Sequence, residues 1–115
     1  MNWGIQMNQN LKIKTQVKQI LKFVQEVAPG RSVELRIPPH AAIQCVKGVN
    51  HRRGTPPNTV EMSAETLIDL TQNPEKWEDF REQGMVLATG TQSDLSNLFI
   101  KVSKLSQIQD MERDA

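Results

Sequence analysis

Val33-Glu34-Leu35-Arg36-Ile37 alternates apolar and charged side chains without a break, and Pro38-Pro39 follows at once. Successive side chains of a strand point to opposite faces, so this pentapeptide presents one apolar face and one charged face. A slip of one residue would bury Glu34 and Arg36 and expose the aliphatics, which leaves a single register open. The chain must therefore cover one face of a sheet and leave the other wet. Pro38-Pro39 turns it back, and two further strand-like segments follow, Ala41 to Val46 and Thr59 to Met62. Antiparallel pairing is the simplest arrangement for strands so closely joined.

The cover is helical. From Asn10, read as a cap, Val17, Ile20, Leu21, Val24 and Val27 recur at helical spacing until Pro29-Gly30 ends the run. Ser63 caps a short helix carrying Leu67, Ile68 and Leu70. Asn73-Pro74 opens another with Trp77 and Phe80, and Gly84 closes it. Met85 to Thr89 read as a fourth strand. Beyond Gly90, a hydroxyl of Thr91 or Ser93 is placed to cap a last helix bearing Leu95, Leu98, Phe99, Val102 and Leu105. This order predicts an α+β domain, a mainly antiparallel sheet of four to five strands covered by helices. Residues 1–9 are expected to be a flexible N-terminus, 10–109 a single domain and 110–115 a frayed tail.

At 115 residues, with 37% of them apolar, the chain has room for one core. Its single cysteine, Cys45, excludes an internal disulfide and suits a reducing compartment. No apolar run approaches the roughly 20 residues of a membrane span, and no signal-peptide order is seen at the N-terminus. These features place the protein in the cytoplasm. The net charge of +1 hides an asymmetry: residues 1–60 sum to +7, residues 61–82 to −5 and the remainder to −1. Such polarity orients ligands or partners without specifying a fold. Lys14, Lys18 and Lys22 form a stripe that reads as a solvated face; the other reading is transient contact with an anionic membrane surface.

Between the second and third strands lies Gly48-Val49-Asn50-His51-Arg52-Arg53-Gly54-Thr55-Pro56-Pro57-Asn58. Paired prolines stiffen it, and His51, Arg52 and Arg53 can project cationic donors toward an anionic group. A solvated hairpin loop is the plainer reading. Metal binding is not expected, because His40 and Cys45 are five apart and point to opposite faces of one strand, with only His51 left to join them. Cys45 has no assignable base or oxyanion site and reads as a buried, inert thiol. No phosphate loop or nucleophile elbow occurs, and no cofactor is expected. Few aromatics are available to stack bases, which argues against nucleic acid.

From Pro29 to Leu98 the chain resembles the bacterial branch of the sterol carrier protein family, especially its small stand-alone domains of actinobacterial type. The resemblance rests on Pro29-Gly30-Arg31-Ser32-Val33-Glu34-Leu35-Arg36-Ile37-Pro38-Pro39 and on Ala42-Ile43-Gln44-Cys45-Val46. It continues through Arg53-Gly54-Thr55-Pro56-Pro57-Asn58 with Val60-Glu61, then Thr66-Leu67, Trp77, Gly84, Thr89-Gly90-Thr91 and Asp94-Leu95-Ser96. It implies a five-stranded sheet and helices around an apolar tunnel for sterols, fatty acids, acyl-CoA or phospholipids, without catalysis. Only four strands are clear in this sequence, and Glu112-Arg113-Asp114-Ala115 is not the peroxisomal address of eukaryotic members. The tunnel lining would be Leu35, Ile43, Leu70, Trp77, Phe80, Leu87 and Phe99, with Val24, Leu67 and Leu98; the simpler reading is that they fill one another's space. Two functions follow: binding of a lipid or other apolar small molecule, its anionic head on His51, Arg52 or Arg53; or a ligand-free accessory domain with a protein partner, such as a thiol-dependent enzyme. The oligomeric state is not encoded in any motif.

Overall fold

In the computed structural model, residues 3–48 and 58–114 are described, with side chains described for 11–48 and 58–111. Helix α1 spans Trp3–Val27, followed by strands β1 (Val33–Ile37), β2 (Ala41–Cys45) and β3 (Asn58–Met62). Helix α2 (Ala64–Gln72), a 3-10 turn at Pro74–Lys76, helix α3 (Trp77–Glu82), strand β4 (Val86–Thr89) and helix α4 (Ser96–Asp114) complete the chain. Both long helices extend further than periodicity indicated. Asn10 lies inside α1 rather than capping it, and α4 runs through the segment expected to fray.

Strand β1 takes the register its alternation requires. Val33, Leu35 and Ile37 are fully buried, whereas Glu34 and Arg36 lie half-buried on the other face and pair with each other at 3.2 Å. The sheet order is β2-β1-β3-β4. The β1–β2 and β3–β4 pairings are antiparallel, as expected, but β3 lies beside β1 and parallel to it, so the sheet is mixed. The strand with the most regular apolar face thus occupies the interior of the sheet, and β2 is displaced to its edge. Val33 pairs with Cys45 on one side and Asn58 on the other. The end of β2 and the start of β3 are therefore two strand spacings apart, about 10 Å.

The Pro38-Pro39 bond is cis, and the His40 N–H donates to the Ile37 carbonyl at 2.8 Å to close the β1–β2 turn. Ser63 caps α2 as its sequence position indicated, its Oγ accepting from the Thr66 N–H at 3.1 Å. Asn73 does not cap the following turn; its side chain instead donates to Asp69 Oδ1 at 2.9 Å and finishes α2. Helix α3 ends at Gly84, whose φ of 76° is costly for a residue with a Cβ. Gly84 N–H reaches the Arg81 carbonyl (3.1 Å) and Met85 N–H the Phe80 carbonyl (2.9 Å), satisfying two carbonyls left over at the helix end. At α4 neither hydroxyl caps: Asp94 Oδ1 accepts from the Ser96 N–H at 3.0 Å, and Ser93 Oγ donates to the Gly90 carbonyl. That hydrogen bond holds the Asp94 carboxyl below its usual range.

One core lies between the inner face of the sheet and the helices. Val17, Ile20, Leu21, Phe23 and Val24 of α1 meet Leu67 and Leu70 of α2 and Leu98, Phe99 and Val102 of α4 over the inner face of β1 and β3. Trp77 stacks on Phe99 with ring centroids 6.0 Å apart, within the range of favourable aromatic pairs. Lys14, Lys18 and Lys22 lie on the exposed side of α1. Leu87 corrects the sequence reading. It sits opposite Glu61 on the outer face of β4 and is 57% exposed, while its neighbour Val86 points inward. Trp77→Ala is expected to destabilise the protein by about 3–5 kcal/mol, and Leu87→Ala by less than about 0.5 kcal/mol. Urea melts of the two variants check the contrast; equal losses would place Leu87 in the core.

Candidate functional site

Leu35, Leu70 and Phe99 are fully buried, and Trp77 and Phe80 nearly so; all five belong to the packed core, with Ile43 half-buried against it. They are brought together in that core. Leu87 stands apart on the outer face, and His51, Arg52 and Arg53 lie outside the described residues. Two other places in the fold carry the chemistry.

The first is a polar junction at the end of the sheet where β1 and β3 begin. Asn58, 3% exposed, donates through Nδ2 to the Ser32 carbonyl at 2.9 Å and to Ser32 Oγ at 3.2 Å. Its Oδ1 accepts from the Gln92 N–H at 2.9 Å, and Ser32 Oγ donates to Gln92 Oε1. One amide thus joins the chain before β1, the first residue of β3 and the turn before α4. Gly90 is required here: its φ is 105°, and a Cβ added to it would collide with the Asn58 side chain. On the other flank, Val46 follows β2 with φ at 66°, a strained conformation for a β-branched residue. Two backbone bonds hold it: Val46 N–H to the Ala28 carbonyl (2.7 Å) and Ser32 N–H to the Val46 carbonyl (3.0 Å). The three sequence blocks around Ser32, Asn58 and Gly90 meet at this junction, which fixes both ends of the His-Arg-Arg segment.

The second is a groove of about 420 Å³ between α1, α2 and α4. Ile20 and Phe23 from α1 and Ile68 from α2 form its apolar part; Thr15, Gln16, Gln19, Thr71, Gln72, Ser103, Ser106, Gln107, Gln109 and Asp110 supply hydroxyls, amides and one carboxylate. Its volume is in the range of small-molecule sites. None of the expected lining residues belongs to it. Ile20 and Ile68 stand among the apolar helix positions of the sequence, the polar residues carry no motif, and only the crossing of three helices brings them together.

Cys45 faces the core at the end of β2, and burial pushes its thiol up to about 11. A protonated, enclosed sulfur is no nucleophile at neutral pH. His40 lies half-buried in the turn before β2.

Residues 9–100 match the family described as the bacterial SCP ortholog, and the chain belongs to that family. Its α+β fold, with a four-stranded mixed sheet under helices, agrees with that assignment. Membership points to binding of lipids or other apolar small molecules. A comparison with curated proteins finds no match. Among the described residues no helix is long and apolar enough to cross a membrane.

Asn58→Ala would leave the Ser32 carbonyl and the Gln92 N–H without their partner in a buried setting, at a cost of about 2–4 kcal/mol. Chemical denaturation measures it, and a loss below about 1 kcal/mol would show that solvent reaches the junction. The thiol gives a second prediction. Cys45 holds its proton more tightly folded than unfolded, so between pH 9 and 11 the unfolded chain ionises first and stability falls as pH rises. Cys45→Ala should flatten that part of the stability curve; an unchanged slope would mean the thiol is solvated.

Proposed function

We propose that this protein is a small, non-catalytic binder of a lipid or other apolar ligand, and that the groove between α1, α2 and α4 receives it. The carrying observation is the groove itself: a volume of ligand size with Ile20, Phe23 and Ile68 at its base, in a chain of a lipid-binding family. Hollowing a core of this size would cost stability, whereas a groove between helix shoulders leaves the core intact.

The head of the ligand divides this reading into two forms. In one, His51, Arg52 and Arg53 receive an anionic head. In the other, the groove holds the head as well as the tail. A second function, that of a ligand-free accessory domain with a protein partner, draws on the burial of Leu35, Leu67, Leu70 and Phe99, which leaves them no surface to offer a ligand.

Native mass spectrometry of the freshly purified protein tests the main reading, the expected result being a retained lipid. Ile68→Glu, placing a charge in the groove, should remove that adduct and any ligand-induced rise in melting temperature. Repeated absence of lipid from the parent protein favours the accessory-domain reading. If the arginines meet an anionic head, Arg52→Ala with Arg53→Ala should weaken fatty-acid binding, less so at high salt, and leave the unliganded melting temperature unchanged. Equal ligand-induced shifts in parent and double variant would exclude that role.

A further inference from the structure

The groove is chemically unsuited to an anion. Among its described lining residues there is no Lys, Arg or His, and the one ionisable side chain among them is Asp110. A carboxylate or phosphate placed there would shed water, meet no cation and face a like charge. What the groove supplies instead is neutral hydrogen bonding. Gln16, Gln19, Gln72 and Gln107 each bring an amide that both donates and accepts.

Its floor holds an unused polar group. Ser103 is 5% exposed and lines the groove, yet among the described residues its hydroxyl has no hydrogen-bond partner. Thr71, comparably buried across the groove on α2, spends its hydroxyl on the Leu67 carbonyl at 3.0 Å. A buried hydroxyl without a partner is costly, so a ligand oxygen meeting Ser103 would gain a hydrogen bond and relieve that cost.

We infer that the groove selects an uncharged amphiphile, an alkyl chain with a hydroxyl- or ester-bearing head of the monoacylglycerol type, with a head oxygen on Ser103. The tail lies against Ile20, Phe23 and Ile68, and the glutamine amides surround the remaining head oxygens. The inference rests on the proposed lipid binding and specifies its ligand class.

Titration calorimetry on the full chain tests it with three ligands of one tail: 1-monolauroylglycerol, laurate and dodecyltrimethylammonium, each below its micelle concentration. The glycerol ester is expected to bind at least about tenfold more tightly than either charged ligand. Ser103→Ala should weaken that binding by about 5- to 10-fold, the range of one neutral hydrogen bond. The same variant should hold or raise the melting temperature of the unliganded protein, since it removes an unpaired buried hydroxyl; a purely structural serine would move stability and leave affinity alone. Laurate or the ammonium binding as tightly as the ester, or unchanged affinity in Ser103→Ala, would overturn the selectivity while leaving lipid binding in place. Failure of all three ligands to bind would overturn the lipid-binding reading and this inference with it.

Discussion

Burial of one face of β1 governs the rest of the molecule. Val33, Leu35 and Ile37 are each removed fully from water, worth roughly 1.5–3 kcal/mol apiece, and that gain exists only if helices cover the face while strands satisfy both edges. Strand β2 meets one edge through the tight Pro38-Pro39 turn. The other edge is taken by β3, which can reach it only by passing the end of β1, and its direction is then parallel. From that placement follow the position of α2 over the sheet, the antiparallel return of β4 and the seat of α4 against α1.

The two functional regions use polar groups in opposite ways. At the junction every polar atom of the Asn58 side chain is engaged, and the result is rigidity: three backbone segments are fixed by one amide. In the groove the amides and the Ser103 hydroxyl face a space rather than each other. A buried polar network that is complete defines shape, whereas polar groups without partners define what a ligand must bring. The groove opens where the core residues Ile20 and Phe23 meet the polar shoulders of the helices.

Sequence revealed what local chemistry decides. The alternation in β1, the cap at Ser63 and the stop at Gly84 each depend on neighbours within a few residues, and each was legible. The parallel β1–β3 pairing was not, because order across a sheet is set by which edge remains free and no local pattern carries it. The exposure of Leu87 is illegible for a similar reason: Val86-Leu87-Ala88 has no alternation, so its faces are fixed only by the register Glu61↔Leu87. Asp94, rather than a nearby hydroxyl, serves α4 because Ser93 is turned to Gly90. The groove escaped notice altogether. Glutamines and serines at helical spacing look like solvent-facing positions until a second and third helix close around them.

The segment between β2 and β3 has to bridge only about 10 Å, from the strand end at Cys45 to the strand start at Asn58, with twelve residues to do it. Its two ends are tied independently of its contents, one through Val46 and the other through Asn58. Closure entropy limits the length of such a connection only weakly: doubling it costs only about 0.6 kcal/mol. A longer connection can therefore join the same two strand ends without moving the sheet. The same latitude makes the stretch a natural insertion point for a reporter or an epitope.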